Sequence, residues 1–583
     1  MPDAPPATVA ATAAAPPRAK LRVGLFADTA LQPRWLVAAL AKVAASESAE
    51  VVLVSTGAAV PAAAPPWPWR LYRRLDRKLL GSGPDLSARV DLRSGLPPVQ
   101  HTILPARGET APWRATVAAL GLDVAFALGD VDDDLLDGLA RYGVWRYRYG
   151  EDLEREEAYA GACEVTRAEP VTASALVAQP GGGAPERLLY RSWSRTLQLS
   201  IARNRDNVQR KSVPFAARAL AHLHRCGTAW FDQCPPVARA ARGRHAGSTA
   251  PGRRDSTGAP GGADLLRLVA RLARRGVEKA LTVDQWFIGY RFGQAEPWSG
   301  DLRPYRMLVP PQDRYWADPF PIERGGRYYI FFEEFMFATG RAHINAVEVH
   351  RDGSHSEPVK VLQRPYHLSY PLLIEDGGEL YMIPESGANR TVEIYRCARF
   401  PDEWRLEKVL LRGARFVDAT LHRTADAWWM FVNAGVDGAE LHDELHIYTA
   451  DSLLGEWRPH AANPVKSDVR SARPAGRLYE SGGALYRPAQ ICAPLYGTGV
   501  SINRVLRLNP EEYVECEERR ILPAHPAGLL GLHTVNRAGE LSVVDGFMRQ
   551  LRRAGSHRAG GGRSVEPDRL VPFHRTITEH ADN

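Results

Sequence analysis

The chain has 583 residues, of which 45% are hydrophobic and 24% are charged, and its net charge is +7. The length allows two or more domains, and the small charge on so long a chain argues against nucleic acid as a partner. The six cysteines form no CxxC pair and have no ligand-like spacing with histidine. We therefore expect free thiols, no disulfide framework and no metal site.

The N-terminal residues 1–20 are rich in alanine and proline and lack the basic segment of a signal peptide. We expect a disordered tail here and another over 550–583, where glycine and arginine are frequent. No apolar run is long enough to cross a membrane. The sequence therefore predicts a cytoplasmic protein, with peripheral membrane contact as an open alternative.

Strand and helix signals alternate over residues 21–215. The apolar run "LRVGLF" suits a buried parallel strand, and Leu36, Leu40 and Val43 recur at helical spacing. The segment "GLDVAFALGDVDDDLLDGLARYGVWRYRYGE" continues with a strand, a helix and another strand. This alternation predicts an open α/β sheet.

Residues 235–263 consist mainly of glycine, alanine, proline, serine and arginine, which predicts a flexible linker. Asp264 can cap a basic helix over 264–281. One face of this helix carries Leu265, Leu268, Val269 and Leu272, and the other carries Arg267, Arg271, Arg274 and Arg275. We expect it to pack on a neighbouring domain or to lie on an anionic membrane surface.

A repeated unit follows between residues 282 and 549. Each copy has a polar or proline-flanked residue, a turn and an aromatic strand, as in "ADPFPIERGGRYYIFFEE" and "SYPLLIEDGGELYMIPES". Alignment of five copies gives steps of 52, 48, 55 and 60 residues, measured on Pro319, Pro371, Ala419, Pro474 and Thr534. Each period has room for about four strands, which predicts a five-bladed β-propeller.

Propeller geometry brings the start of each blade's innermost strand to one central funnel. The residues at these five starts are Asp318, Tyr370, Asp418, Arg473 and His533. Two acids, an arginine, a histidine and a tyrosine at one mouth are typical of a ligand site. The alternative is local, because an aspartate at a strand start often accepts hydrogen bonds from backbone amides.

The repeats resemble the five-bladed propellers of glycoside hydrolase family 43. More closely, "YWADPFP", "PYHLSYPLL", "YMIPESG", "SARPAG" and "LYRPAQ" resemble the N-terminal propeller of the plant glucosamine inositolphosphorylceramide transferases and its bacterial relatives. In the plant proteins a separate glycosyltransferase domain follows the propeller, and we expect no counterpart of it here. The resemblance implies a sugar-directed propeller without that transferase activity.

The glycosidase resemblance implies that Asp318 is a general base, with Asp418 or Glu385 as the second carboxylate. Glycoside cleavage needs a proton donor and a second carboxylate that activates water or attacks carbon. The third blade has no clear glutamate where the general acid is expected, so Glu385 is a candidate by elimination, and Glu333 and Glu334 are others. The predicted substrate-binding residues are Trp316, Glu334, His367, Tyr370, Arg473, Arg487, Gln490 and His533.

The α/β part resembles the formyltransferases that use formyl-tetrahydrofolate, in "LRVGLF", "GLDVAFALGD" and "YGVWRYRYGE". The catalytic Asn-x-His of that family falls at Arg146 and Arg148, and a guanidinium group cannot act as a base. We therefore expect no formyl-tetrahydrofolate cofactor. The two arginines either clamp an anion at the carboxyl end of their strand or lie over neighbouring tyrosines on the surface.

Three functional hypotheses remain. The first is a carbohydrate-active protein of envelope glycan or glycolipid metabolism, whose funnel binds and processes a glycan or a glycosyl donor such as a nucleotide sugar. The second is a non-catalytic glycoconjugate-binding module with a degenerate α/β scaffold domain. The third is a formyltransferase acting on an amino sugar, which the two arginines oppose. We favour the first hypothesis as a sugar-directed function, with catalysis left open.

Overall fold

The computed structural model describes nine stretches of the chain, which are 18–57, 67–81, 83–105, 110–153, 159–237, 262–293, 299–436, 438–526 and 528–551. Within them, an α/β part is followed by a β-propeller. The predicted tails and most of the predicted linker lie outside the described residues. No helix among the described residues is long and apolar enough to cross a membrane.

The α/β part is built on one seven-stranded sheet in the order β5-β3-β1-β6-β7-β8-β9, with a small β2–β4 pair beside it. The first five strands of that order are parallel, and the last two are antiparallel. The central strand β6, "VAFAL", is buried along its whole length, as a strand covered on both faces requires. The open α/β fold is therefore confirmed. The strands are β1 (Leu21–Ala27), β2 (Leu31–Pro33), β3 (Ala49–Thr56), β4 (Arg89–Asp91), β5 (Gln100–Ile103), β6 (Val124–Leu128), β7 (Val144–Tyr149), β8 (Val171–Gln179) and β9 (Arg187–Arg195).

Helices flank this sheet and continue beyond residue 215. Phe215, Leu220, Leu223 and Phe231 are buried in the same core as the sheet, so the α/β part extends to Gln233. The helices in the described residues are α1 (Arg34–Ala44), α2 (Trp67–Leu80), α3 (Thr110–Ala118), α4 (Asp133–Leu136), α5 (Ala162–Arg167), α6 (Ile201–Ser212), α7 (Phe215–Cys226), α8 (Thr228–Gln233) and α9 (Gly262–Leu281).

The propeller has five blades, as the repeat predicted. Blade one is β12 (Arg314–Arg324), β13 (Arg327–Met336), β14 (Arg341–Val349) and β15 (Val359–Leu362), and blade two is β16 (Ser369–Asp376), β17 (Glu379–Ser386), β18 (Thr391–Arg399) and β19 (Glu403–Arg412). Blade three is β20 (Arg415–Arg423), β21 (Trp428–Gly435), β22 (Glu444–Ala450), β23 (Arg458–Pro459) and β24 (Lys466–Ser467), and blade four is β25 (Tyr479–Ser481), β26 (Ala484–Ile491), β27 (Gly499–Leu508) and β28 (Tyr513–Ile521).

Blade five closes the ring by joining the two ends of the propeller sequence. Strand β10 comes before blade one in the chain, yet it pairs along its whole length with β31 from the end of the propeller. This pairing fixes the circle, because neither end can leave without breaking a full strand ladder. The strands of blade five are β10 (Thr282–Phe292), β11 (Arg306–Leu308), β29 (Leu529–Gly531), β30 (Val535–Ala538) and β31 (Leu541–Leu551).

The inner strands of the first three blades share an irregularity. Asp318, Tyr370 and Asp418 have φ angles of 51°, 46° and 54°, the left-handed region that residues other than glycine rarely adopt. In each strand the pairing register shifts at that residue. Such a bulge re-aims the side chain at the point where the strand begins.

The α/β part and the propeller meet through a buried ion cluster. Lys211 Nζ on α6 lies 2.7 Å from Asp443 Oδ1 and 3.0 Å from Glu444 Oε1, and these three side chains are almost fully buried. Arg218 on α7 donates to both carboxylate oxygens of Glu444, at 2.7 and 3.1 Å. Burial alone would raise the pKa of Glu444, but Lys211 and Arg218 hold it well below the usual range. The interface therefore depends on paired charges from both parts.

Candidate functional site

Polar side chains from all five blades meet at the centre of the propeller. We call this group the funnel cluster, and its members are Asp318, Glu333, Glu385, Asp418, Arg473, Gln490, His533 and Asp545. Four of them occupy predicted strand starts, and the other four come from neighbouring strands of their blades, which are Glu333 in β13, Glu385 in β17, Gln490 in β26 and Asp545 in β31. Four of the five residues predicted at the strand starts belong to it.

On one side of the cluster, a histidine lies between two aspartates. His533 Nδ1 is 2.5 Å from Asp545 Oδ2, and its Nε2 is 3.5 Å from Asp318 Oδ1. Thr534 Oγ1 donates to Asp318 Oδ1 at 2.7 Å. Burial lowers the pKa of His533, but Asp545 and Asp318 outweigh it and raise that pKa above its usual value. Asp545, His533 and Asp318 thus form a row of side chains in which the histidine can hold a proton between the two carboxylates.

On the other side, Arg473 holds two carboxylates from different blades. Its Nε donates to Asp418 Oδ2 at 2.6 Å, and its Nη2 lies 3.5 Å from Glu385 Oε2. Gln490 Nε2 also donates to Asp418 Oδ2, at 2.7 Å, and His442 Nδ1 accepts from Arg473 Nη1 at 2.9 Å. Asp418 is therefore oriented by two donors, and it also shares a hydrogen bond with Glu385.

Glu333 lies between the two sides. Its Oε1 accepts from the Tyr315 hydroxyl at 3.2 Å and is 3.4 Å from His367 Nε2. The pKa of Glu333 is raised well above its usual value by burial and by the carboxylates of Asp318 and Glu385. The side chain of His367 is 29% exposed, against 10% for Glu385, so the cluster is reached from solvent most directly on this side.

The carboxylates of the funnel cluster have different pKa values. Burial and the neighbouring Asp418 raise the pKa of Glu385 to about 8. Burial also raises the pKa of Asp318, to about 6, against the opposing effect of His533. Glu385 therefore keeps its proton to a higher pH than Asp318 does. Titratable groups whose surroundings push their pKa values apart are the usual basis of acid–base chemistry.

Asp318, His533 and Asp545 also have a spacing that a metal ion can use. They offer one ligand atom each, and these atoms lie within 4.8 Å of one another. However, Asp545 also accepts the backbone amides of Asp318, His533 and Thr534, at 3.1, 2.8 and 3.0 Å. Its oxygens are therefore committed to holding the strand starts together, which fits a hydrogen-bonded row better than a metal site.

Other residues predicted to bind substrate lie outside the cluster. Tyr370 is fully buried, and its hydroxyl lies 2.8 Å from Thr420 Oγ1 and accepts the Gly476 amide at 2.6 Å. Arg487 is also fully buried, and it pairs with Glu515 at 2.6 Å within blade four. Tyr370 of blade two thus links blades three and four, whereas Arg487 stabilises blade four itself.

Trp316 and Glu334 belong to a separate group in blade one. Glu334 Oε1 accepts from Trp316 Nε1 at 3.0 Å and from Arg314 Nη1 at 3.1 Å, and its Oε2 is 3.0 Å from His343 Nε2. Burial would raise the pKa of Glu334, but these three partners lower it to about 2. Successive strand residues point to opposite faces, so Glu333 faces the cluster and Glu334 does not.

In the α/β part, both arginines of strand β7 are paired with carboxylates. Arg146 Nε donates to Asp133 Oδ1 at 2.8 Å, and Arg148 Nη2 is 3.1 Å from Glu186 Oε1. Their charges are therefore neutralised within the protein. A cavity of about 380 Å³ lies elsewhere on the sheet's carboxyl edge, lined by Ala30, Thr56, Arg93, His101, Thr102 and Ile103.

Three members of the site had no role in the sequence predictions. Asp545 follows an apolar run in β31, and an acid in such a strand is the only signal it offers. Tyr496 lies in a loop, with its ring centroid 5.1 Å from that of His533 and 5.0 Å from the Arg473 guanidinium carbon. His442 also comes from a loop. Loop residues fall outside the repeat, so the period cannot find them.

Comparisons with known proteins agree with the propeller. Residues 310–526 match the family model described as glucosamine inositolphosphorylceramide transferase 1, N-terminal. The curated proteins of that name from Arabidopsis thaliana and Oryza sativa subsp. japonica are 36% identical to this chain over 205 and 203 residues, which are 34% of this chain and 27% of each relative.

Solved structures of glycoside hydrolases are also similar to the chain. A family 117 glycoside hydrolase of Zobellia galactanivorans has 13% identity and a TM-score of 0.30, and the match covers 45% of this chain and 90% of the hydrolase. A GH43_1 enzyme from Xanthomonas citri has 12% identity and a TM-score of 0.31, and the match covers 42% and 89%. Residues 310–526 are thus similar to the N-terminal region of glucosamine inositolphosphorylceramide transferase 1, and they lie within a five-bladed propeller.

Proposed function

We propose that the funnel cluster binds the sugar of a glycolipid or glycosyl donor and catalyses transfer or hydrolysis at its glycosidic bond. The observation that carries this proposal is the meeting of Asp318, Glu385, Asp418 and Arg473 from four blades at one buried site. Buried carboxylates cost free energy unless they are paired, and this group has more carboxylates than cations. Such an arrangement suits chemistry better than stability.

Glu385 and Asp318 supply the two functions that glycoside chemistry needs. Glu385, protonated below its pKa of about 8, gives its proton to the glycosidic oxygen as the bond from that oxygen to the sugar carbon breaks. Asp318, ionised above its pKa of about 6, takes the proton from the water or hydroxyl that forms the new bond to the same carbon. Atoms and charge balance, because Glu385 loses one proton to the glycosidic oxygen and Asp318 gains one from the water or hydroxyl.

Arg473 and Asp418 position the sugar and the proton donor. Arg473 fixes Asp418, and the charge of Asp418 keeps the proton on Glu385. Tyr315 and Tyr496 border the cluster, where the Tyr315 hydroxyl donates to Glu333 and the Tyr496 ring lies beside His533 and Arg473. The plant relatives support a glycolipid as the ligand, since their name refers to an inositolphosphorylceramide. The match spans only 27% of their length, so this link is part of the proposal.

A binding screen tests the site. The full chain is titrated with a panel of glycans, glycolipid headgroups and nucleotide sugars, and each ligand found is tested with Asp318→Asn, Arg473→Met and Asp451→Asn. Asp451 is an exposed aspartate of the same propeller and serves as the matched control. We expect the first two variants to lose binding by at least about ten-fold, the effect of one buried charge-assisted hydrogen bond, and the control to bind normally.

Glu385→Gln separates catalysis from binding. It keeps the shape of the side chain but removes the proton donor, so we expect binding to persist and turnover to fall by about 10²–10⁴-fold. Binding that persists with no turnover in the wild type would support the non-catalytic hypothesis instead. Binding that survives both Asp318→Asn and Arg473→Met would remove the site from the propeller centre.

A further inference from the structure

Helices α2 and α9 of the α/β part share one buried cluster and leave apolar side chains in solvent. Trp69 of α2 and Leu268 of α9 pack with Ala162, Val165 and Ile201. Each helix therefore has an inner face that is already covered. The outer faces are the unusual feature.

The outer face of α2 carries an apolar ridge at four-residue spacing. Trp67, Leu71, Leu75 and Leu79 are 68%, 49%, 48% and 75% exposed. A soluble helix normally places such residues inside and charges outside. Trp69 and Tyr72 already fill the buried face of α2. The exposed ridge is therefore a second apolar stripe, on a face of the helix that does not contact the core.

A basic ridge runs beside this apolar one. Arg70, Arg74 and Lys78 are exposed, and each lies three residues after a member of the apolar ridge. None of the three has a carboxylate within 4 Å among the residues that the structure describes. In contrast, Arg77 of the same helix faces inward and pairs with Asp85 and Asp206.

Helix α9 also leaves apolar side chains in solvent, although its outer arginines have acidic partners. Leu266, Val269, Val277 and Leu281 are 73%, 54%, 60% and 58% exposed, although the helix is anchored by Leu268 and by Arg271, which donates to the carbonyls of Val165, Thr166 and Gln198. Its outer arginines, Arg267, Arg274 and Arg275, outnumber the two acids that pair with them, Asp264 and Glu278. Val269, predicted on the face of the leucines, lies on the exposed side.

We propose that the outer faces of α2 and α9 together dock this protein on an anionic lipid bilayer. A helix with tryptophan and leucine on one side and lysine or arginine beside them lies in the boundary between headgroups and acyl chains. The unpaired basic ridge explains why the occupant is a lipid surface and not the apolar patch of another protein, since each cation needs an anionic headgroup. This inference does not depend on the funnel chemistry.

Vesicle flotation tests this docking with the full chain. Vesicles of phosphatidylcholine alone are compared with vesicles that also contain phosphatidylserine, at low and high salt. We expect binding only to the anionic vesicles, and release by salt, because surface charges are screened over about 10 Å at 0.1 M. Equal binding to neutral vesicles would overturn the electrostatic part of the proposal.

Two pairs of variants test the two helices separately. Leu71→Glu/Leu75→Glu on α2 and Leu266→Glu/Val269→Glu on α9 should each weaken partitioning by at least about ten-fold, since two buried leucine-sized side chains are lost from the lipid. Arg74→Glu should weaken it by about five-fold or more. Leu406→Glu/Leu506→Glu is the matched control, because these propeller leucines are 51% and 52% exposed and lie on neither helix.

The remaining outcomes also decide the question. Circular dichroism and urea unfolding must show that the variants remain folded, which is expected for exposed positions. If the helix variants float as well as the wild type, the docking surface is elsewhere and the proposal fails. If light scattering shows a dimer that the helix variants dissolve, and no vesicle binding occurs, the apolar stripes are covered by a second copy and the lipid proposal is wrong.

Discussion

The centre of the propeller and the carboxyl edge of the α/β sheet are both places where ligands commonly bind, and the chain treats charge differently in each. At the sheet edge, Arg146 and Arg148 have carboxylate partners within 3.1 Å. In the funnel cluster, burial and the neighbouring carboxylates raise the pKa values of Glu333 and Glu385. The arginines at the sheet edge are neutralised by carboxylates, whereas the funnel cluster holds several carboxylates close to one another.

This difference separates charges that are paired from carboxylates that are held together at a cost in stability. Paired surface charges give little stability and no chemistry. Buried like charges are costly, and they persist only where the rest of the fold holds them. The left-handed backbone at Asp318 and Asp418 is a second cost at the same place. Both costs fall on the propeller centre.

Removal of one arginine from each region gives the largest expected effect. Arg473→Met leaves the buried Asp418 without its cation and should lower the free energy of unfolding by about 3–5 kcal/mol. Arg146→Met removes a pair whose aspartate is half-exposed, and should cost less than about 1 kcal/mol. Urea unfolding measures both. Similar losses in the two variants would erase the contrast between the regions.

The pH dependence of turnover should follow the two acids of the cluster. The rate should fall about ten-fold per pH unit below about 6, where Asp318 gains a proton, and above about 8, where Glu385 loses one. Steady-state rates across this range measure the profile. In Glu385→Gln the alkaline limb should disappear from any residual activity. An unchanged alkaline limb would assign it to another group.

Glu385→Gln should stabilise the protein, and more so as the pH rises. The folded-state pKa of about 8 lies above the ordinary 4.5, so the folded chain holds a proton that the unfolded chain loses. Wild-type stability therefore declines between pH 4.5 and 8, and glutamine does not share this decline. We expect a gain of about 1–2 kcal/mol at the alkaline end, measured by urea unfolding. Glu334→Gln is the contrast, because its low pKa predicts a loss.

The smallest expected effect is at the sheet edge. Arg146→Ala/Arg148→Ala should leave sugar binding within about two-fold of the wild type, because neither side chain belongs to the funnel cluster and exposed pairs contribute little. Isothermal titration with a ligand from the screen measures this. A ten-fold loss would mean that the α/β part takes a direct share in binding.

The repeat was sufficient to predict the propeller and four members of the cluster, since a fixed period places equivalent residues at one axis. It could not place Tyr370, because the same bulge that aims Asp318 inward sends the larger ring into the contact between blades, where it packs on Phe320. The sequence could not decide which of Glu333 and Glu334 faces the cluster. Adjacent strand residues point to opposite faces of the sheet, and a bulge can reverse which residue faces which side. The pairing of Arg146 with Asp133 and of Arg148 with Glu186 depends on chain folding, which no local pattern encodes.

The ion cluster around Lys211 limits which N-terminal domains could be joined to this propeller. Asp443 and Glu444 directly follow His442, which contacts Arg473, so the cation from α6 lies next to the wall of the funnel cluster. A propeller produced alone would leave these two carboxylates without Lys211 and Arg218 as countercharges. An N-terminal domain from another protein could replace this one only if it placed a lysine or arginine beside Asp443 and Glu444. We therefore expect substitutions in the two parts to be correlated.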